Sequence, residues 1–256
     1  MNTLPWRLLD SGAGTGVEQM AVDAGLMDRA RETGEAVLRL YAWSRPTLSF
    51  GRHEASRGRF SPATLAAAGV DAVRRPTGGR VLLHDHEVTY SVTAPVTGDE
   101  PLRASYRAIN RILLDAMQAM GLAAAEADPS PTPRPGGAAC FAEPNAGELV
   151  VGGRKLIGSA QVRERGALLQ HGSILIRDDQ GRIGALADAP LTPAVPAATL
   201  AALLGPQPWY AMVRDALFDA VRARHETVGE LESSDTEGWA AAHRARFASP
   251  DWTWRR

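Results

Sequence analysis

The sequence predicts an α+β domain: a mixed, mostly antiparallel sheet flanked by helices. Extended segments come as hairpin-like neighbours, and helical periodicities gather at the start, middle and end of the chain. The composition agrees, because 256 residues with 45% hydrophobic and 22% charged side chains are too apolar for wholesale disorder. That length suits one large domain or two small ones. One domain over 1–256 is expected, with its core at about 17–224, since the residues with candidate chemistry follow one another closely after the only long loop.

The elements follow in order. Residues 17–33 set Val17, Met20, Ala21, Ala24, Met27 and Ala30 at spacings of three and four, a helix. Ala36 to Trp43 reads as a strand, Ser44-Arg45-Pro46 as a turn and Thr47 to Gly51 as a short return strand. Ser61-Pro62 caps a helix that Gly69 stops. Val70 to Arg74 is a strand, Pro76 to Gly79 a tight loop, and Val81 to Leu83 and Val88 to Ala94 are extended. Leu102 to Met120 is a helix with Tyr106, Ile109, Leu113 and Met117 along one side. Residues 127–137 hold four prolines and two glycines and predict a loop. Glu148 to Val151 and Lys155 to Ile157 flank Gly152-Gly153, a hairpin signal. Gln161 to Arg163 and Leu168 to Ile176 continue the meander. Leu200 to Leu204 and Trp209 to Val221 are helical, and 247–254 is mixed.

Charge and cysteine usage exclude several function classes. The net charge is −1, from 28 basic and 29 acidic side chains, without the basic excess of a nucleic-acid binder. No apolar run approaches the roughly 18 residues of a membrane span, and 1–7 lacks a signal-peptide pattern. Neither nucleic acid nor membrane is therefore an expected partner. One cysteine makes no internal disulfide, so a cytoplasmic location is expected.

Lys155 is the only lysine among the 28 basic residues. Where arginine has replaced every generic surface lysine, the one retained points to an amine whose proton can leave on desolvation. Cys140 is the other singleton, and a lone cysteine is more often a small buried hydrophobe than a nucleophile.

Four further segments bear on chemistry. Ser11-Gly12-Ala13-Gly14-Thr15-Gly16 resembles a dinucleotide fingerprint, but Val17 stands where its third glycine belongs, so it reads as a flexible N-terminal turn. In His84-Asp85-His86-Glu87 a strand would put both histidines on one face, yet no second ligand group has metal-like spacing and no metal is expected. Arg74-Arg75-Pro76-Thr77-Gly78-Gly79-Arg80 is a turn whose glycines let backbone N–H groups approach a carbonyl or phosphate. Finally, Lys155 precedes the small residues Gly158, Ser159 and Ala160, which leave room for an acyl chain, and Gln170-His171-Gly172-Ser173 is a polar break within an apolar strand.

Taken together, these segments resemble the biotin/lipoate protein ligase superfamily, in its lipoate-assembly branch. The likeness begins at Trp6 to Gly12, continues through Leu38 to Gly51, and is strongest over Arg74 to Tyr90 and Arg154 to Ser173. Cys140-Phe141-Ala142-Glu143-Pro144 resembles the cysteine loop of its octanoyltransferases of the LipM type. The resemblance implies a class II biotin/lipoate protein ligase-like catalytic domain and octanoyl transfer through a cysteine acyl-enzyme, without a cofactor. Octanoyl-acyl carrier protein would be the donor, and a lysine of an apo lipoyl domain or glycine-cleavage H protein the acceptor. Cys140 and Lys155 would be catalytic. Arg75, Thr77, Gly78, Gly79, His84, Gly158, Ser159, Ala160 and His171 would bind substrate. An aromatic residue usual shortly before the glutamate matching Glu148 is replaced here by Asn145-Ala146-Gly147. Related alternatives are an ATP-dependent lipoate ligase and an amidotransferase between lipoyl-bearing proteins; a lipoyl-domain binding module is the non-enzymatic one. Arg74, Arg75, Arg80, Arg154, Arg163 and Arg165 are expected to form a basic rim for an acidic donor.

Overall fold

The computed structural model describes residues 3–96, 101–127, 147–189 and 195–256. Its elements are β1 (Trp6–Gly14), α1 (Gly16–Thr33), β2 (Ala36–Trp43), β3 (Thr47–Phe50), α2 (Pro62–Ala67), β4 (Asp71–Arg74), β5 (Leu82–His84) and β6 (Glu87–Pro95). They continue with α3 (Leu102–Ala119), β7 (Ala125–Glu126), β8 (Leu149–Val151), β9 (Arg154–Glu164), β10 (Ala167–Leu175), α4 (Ile183–Leu186), α5 (Leu200–Leu204), α6 (Trp209–Arg224), β11 (Val228–Glu230), α7 (Glu237–Ala248) and α8 (Pro250–Thr253). Among the described residues, eight strands form one sheet in the order β11-β1-β2-β6-β10-β9-β8-β7. β1 runs parallel to β11 and β2, and every other neighbouring pair is antiparallel. The α+β class with a mostly antiparallel sheet is therefore the observed one.

Strand alternation gives this sheet two different faces. On one, Leu38 and Leu40 of β2, Val88, Tyr90 and Val92 of β6, and Leu168 and Ile174 of β10 join a single core with Ile109, Leu113 and Met117 of α3 and Val213 and Leu217 of α6. Against the other lies α1, which carries α7 on its outer side. Thr15 starts α1 with a reciprocal capping box to Glu18, and Gly34 ends it in the left-handed region.

Several expectations need correcting. Ser11 to Gly14 is no flexible turn: it continues β1, with a register shift between Asp10 and Ala13 that accommodates the glycines. Thr47 to Phe50 does not return into the main sheet. It is the centre of a second, three-stranded sheet, parallel to β4 and antiparallel to β5, closed by Phe50, Phe60, Leu65, Val81 and Ile183. Lys155 to Ile157 and Gln161 to Arg163 are one strand, β9, instead of two. The Gly152-Gly153 hairpin is present, with φ of 57° and 72°, the pair of positive angles that a tight two-residue turn requires. Within residues 247–254, the end of α7 and all of α8 are helical, and α7 itself begins at Glu237.

Candidate active site

The second sheet delivers the glycine-rich loop to the face of the main sheet on which α1 lies. A Cβ on Gly51, just after β3, would lie 1.9 Å from the Gly79 carbonyl oxygen, so only glycine lets strand end and loop touch. Arg75 is buried and closes the loop on itself. Its Nη1 donates to Ser49 O (3.0 Å) and Oγ (2.9 Å), its Nε to Gly78 O (3.2 Å), and its Nη2 to Gly78 O (3.0 Å) and Arg80 O (2.6 Å).

Beside this loop is a cleft of about 380 Å3, counting the space open to solvent at its mouth. β9 and β10 supply Gly158, Ser159, Ala160, His171, Gly172 and Ser173 to its wall. Tyr41, Trp43 and Thr89 come from β2 and β6, Ser49 and His84 from the second sheet, and Met20, Arg75 and Leu82 complete it. Six of the sequence-predicted site residues (Arg75, His84, Gly158, Ser159, Ala160 and His171) are thus brought into one lining. Thr77 stands behind it and is bonded to His171.

Two fully buried carboxylates organise this wall. Asp23 on α1 takes Arg39 Nη1 (2.7 Å) and Ser91 Oγ (2.7 Å) on Oδ1, and Tyr41 OH (3.1 Å) and His171 Nδ1 (3.0 Å) on Oδ2. Burial alone would raise its pKa. The hydrogen bond from His171 and the charge of Arg39 more than offset this and hold it below the ordinary value. Burial pulls His171 down, so the ring is neutral near pH 7. Its Nδ1 proton goes to Asp23, and Nε2 is left to accept from Thr77 Oγ1 at 2.6 Å. Glu87, at the start of β6, repeats the arrangement. Its Oε1 meets His84 Nδ1 (2.7 Å), Thr89 Oγ1 (2.6 Å) and Ser173 Oγ (2.7 Å). Burial is again outweighed, by attraction to and hydrogen bonding from His84 and by the two hydroxyls, and the carboxyl is held low. His84 Nε2 lies 2.7 Å from Ser49 Oγ, and Trp43 stacks on the His84 ring at 4.0 Å.

Other predicted site residues lie elsewhere. Cys140 is outside the described residues. Lys155 is buried in β9 with its Nζ 2.8 Å from Glu148 Oε1, itself buried, and it is not part of the cleft's lining. Gly78 and Gly79 also stand outside that lining. His84 and His86 do not share a face: Asp85 and His86 form the turn between β5 and β6, which leaves His86 exposed while His84 and Glu87 meet inside. His86 instead joins Asp85 and Asp179 at the surface. The expected basic rim changes membership, because Arg74 and Arg75 are buried. Arg74 donates to the carbonyls of Gly51, Glu54, Trp252 and Thr253 and fixes the C-terminal segment to the loop. Arg154 and Arg165 are exposed, and Arg80 and Arg163 partly so.

Asp23 and Ser49 stand in no motif of the sequence, Glu87 figures there only in the metal-like run His84 to Glu87, and Glu148 only as the start of a hairpin strand. A signal for Asp23 was present: it falls three residues after Met20 and four before Met27, on the apolar stripe of its helix, where a carboxylate must have partners.

Residues 15–222 match the lipoyl protein ligase A/B catalytic domain family. Octanoyltransferase LipM of Kyrpidia tusciae is 45% identical over 183 residues, 67% of this chain and 66% of that protein. Octanoyltransferase LipM of Symbiobacterium thermophilum is 36% identical over 98% of both chains. Among solved structures, lipoate-protein ligase A bound with ATP superposes with a TM-score of 0.79 at 19% identity, over 98% of each chain. Protein Ta0514 of T. acidophilum with bound lipoic acid gives 0.78 at 18%, over 98% of this chain and 99% of that one; at such identities the likeness is one of fold. The chain belongs to the lipoyl protein ligase A/B catalytic-domain family.

Proposed function

We propose that this protein is an octanoyltransferase of lipoate assembly that works through a cysteine thioester. The observation that carries the reading is a cleft walled by the family's own motif segments, in a chain 36% identical over 98% of its length to an octanoyltransferase. Octanoyl-acyl carrier protein is the donor, and a lysine of an apo lipoyl domain or glycine-cleavage H protein is the acceptor. Such carriers belong to the cytoplasm, and among the described residues no helix is long and apolar enough to cross a membrane.

In the first step the Cys140 thiolate attacks the donor thioester. The new C–S bond forms as the carrier thiolate leaves and takes up a proton, an exchange that needs no nucleotide. A free thiol with pKa ≈ 8.5 is only about 3% thiolate at pH 7, so a nearby cation gains much by lowering it. Lys155 is the candidate for that work. In the second step the acceptor amine attacks the acyl-cysteine, the amide forms, and the amine's proton returns to the cysteine thiolate. The buried pair of Lys155 and Glu148 offers both a proton donor and an acceptor for this transfer. In the cleft, burying six methylenes at ~0.8 kcal/mol each supplies about 5 kcal/mol to position the chain.

The test is intact-mass analysis with octanoyl-carrier protein and an apo lipoyl domain, with and without ATP. Donor alone is expected to leave a hydroxylamine-sensitive octanoyl adduct on the Cys140 peptide, and transfer is expected to ignore ATP. Full transfer by Cys140→Ala, or a requirement for ATP with pyrophosphate release, overturns the reading in favour of a ligase. Transfer only from an octanoylated lipoyl protein points instead to an amidotransferase, and no product at all to a binding module. Lys155→Arg separates the two roles of the amine, since a pure charge tolerates arginine in part while a proton carrier does not.

A further inference from the structure

Residues beyond 222 lie outside the family match, and the reaction derived above uses none of them. They nevertheless reach the glycine-rich loop. Arg74, at the end of β4, donates through Nε to the carbonyls of Trp252 (3.2 Å) and Thr253 (3.0 Å), and Trp252 Nε1 donates back to Arg74 O at 2.8 Å. Arg255 Nη2 donates to Arg52 O, and the Arg52 backbone N–H donates in turn to Thr77 O in the loop, at 2.7 Å. The chain after α7 is thereby fastened to the loop beside the cleft.

What this fastening gathers is positive charge. Arg246 lies over the Trp252 ring with its Cζ 3.7 Å from the centroid, and Arg255 lies over the same ring at 3.9 Å. Stacking on an indole orders a guanidinium without neutralising it. Arg52 pairs with Glu164 (3.0 Å) at the end of β9, next to Arg165 in the hairpin turn. Among the described residues, Arg165, Arg246, Arg255 and Arg256 have no carboxylate ion pair. Glu54 faces the Gly51 N–H and Arg59 instead, and Asp251 pairs with none of them. Burial comes first in holding Arg246 and Arg255 below the ordinary arginine value. Glu164 opposes it at Arg246, while Arg52, Arg255 and Arg165 add to it there, and Arg52 and Arg256 add to it at Arg255. Like charges held together destabilise a fold, and an acidic partner turns that repulsion into attraction.

We propose that Arg246, Arg255 and Arg256, ordered around Trp252 together with Arg52 and Arg165, are the docking surface for the acidic carrier protein that delivers the acyl group. This rests on the octanoyl reading above, which names that donor. The surface shares only Arg165 with the rim expected from the sequence. Its place suits the task, because Glu164 is four residues along β9 from Ala160 of the cleft wall, ~13 Å at the rise of a strand. A carrier seated there lies beside the cleft with its thioester arm in reach, and the attraction acts chiefly on encounter.

Two triple variants that remove equal charge test it. Arg246→Gln, Arg255→Gln and Arg256→Gln together strip the surface. Arg103→Gln, Arg107→Gln and Arg111→Gln together strip three exposed arginines from α3, on the opposite face of the main sheet, which also have no ion pair among the described residues. Acyl-enzyme formation is followed by intact mass with octanoyl-carrier protein and with octanoyl-pantetheine, a small uncharged thioester. With carrier protein the first variant is expected to lose about tenfold in second-order rate constant, together with most of its salt dependence. With octanoyl-pantetheine it should stay within about twofold, as a folded protein altered only at its surface does. The α3 variant should keep both rates. Equal loss with both donors assigns these arginines to the fold, equal loss in both variants assigns the effect to net charge, and an unchanged rate with carrier protein removes the surface; each overturns the proposal. Fluorescence-detected binding of the carrier without its acyl group separates docking from chemistry. If octanoyl donors give no acyl-enzyme in the unaltered protein, the reading of the reaction fails, while carrier binding that is lost in the first variant and kept in the second still upholds the surface. No carrier binding by the unaltered protein, or tighter binding of a DNA duplex, overturns it.

Discussion

On the α3 and α6 side of the central sheet, β6 contributes Val88, Tyr90, Val92 and Ala94 to the apolar core. On the α1 side the same strand contributes Glu87, Thr89, Ser91 and Thr93, all buried. β10 repeats the division, with Leu168 and Ile174 in that core and His171 and Ser173 in the cleft wall. The two faces have equally little water and opposite chemistry. One is stabilised by removing apolar area from solvent. The other holds charges that are tolerable only because hydrogen bonds surround them. Fold and site are thus carried by alternate residues of the same strands, and mutations at neighbouring positions should have different consequences.

The largest effect is expected at Asp23. Asp23→Ala removes the carboxylate from a buried Arg39 and from three other donors, and breaking such a buried pair costs about 3–5 kcal/mol. Octanoyl transfer should fall with it. On the opposite face Leu113→Ala should cost about 2–5 kcal/mol as a cavity, with kcat/KM per folded molecule unchanged. Urea unfolding together with transfer assays on both variants tests the contrast. Equal loss of activity per folded molecule in the two would erase the distinction between the faces.

A smaller effect is expected at Thr89, which accepts from Trp43 Nε1 and donates to Glu87. Thr89→Val keeps the shape and leaves the indole N–H without that acceptor, a cost of about 1–3 kcal/mol. The cleft should also loosen, since Trp43 is the ring stacked on His84. By contrast Val88→Ala, one position away on the apolar face, should lower stability and spare the KM for the acyl donor. A KM unchanged in Thr89→Val would show that Trp43 holds its place by stacking alone.

The two faces also differ in how far the sequence revealed them. Alternation in Glu87 to Pro95 identifies a strand whichever way it faces, and apolar spacing identifies α3. The same alternation suggests that Thr89, Ser91 and Thr93 face water, because a polar period of two is the ordinary mark of a solvated side. It takes α1, brought across in three dimensions, to bury them. The fold class was therefore legible, as were six residues of the cleft lining. Asp23 and Glu87 were not, because their partners are 16 to 148 and 2 to 86 residues away in sequence. The second sheet was missed for a related reason: a four-residue strand after a Ser-Arg-Pro turn looks like a hairpin return, and its partners β4 and β5 come more than twenty residues later.

The weakest and most diagnostic difference is in pH dependence. His171 has its pKa depressed by burial from 6.5, so as pH falls below that value the unfolded chain binds a proton that the folded chain refuses. Stability is therefore complete above about pH 7 and declines below 6.5, by no more than about 1.4 kcal/mol per pH unit for one such group. His243, also lowered by burial, adds in the same direction. A second decline begins below 4.5, where Glu87 and then Asp23, held under 4.5 and 3.8 respectively, take up protons first in the unfolded chain. His171→Gln should shrink the first limb and keep the second; what remains belongs to His243 and to His53, which burial and the nearby arginines also lower. Leu113→Ala should lower the whole curve of unfolding free energy against pH without changing its shape, because Leu113 itself binds no proton and touches only the apolar core. A first limb undiminished in His171→Gln would place the titrating group outside the polar face and break the assignment of pH sensitivity to that side of the sheet.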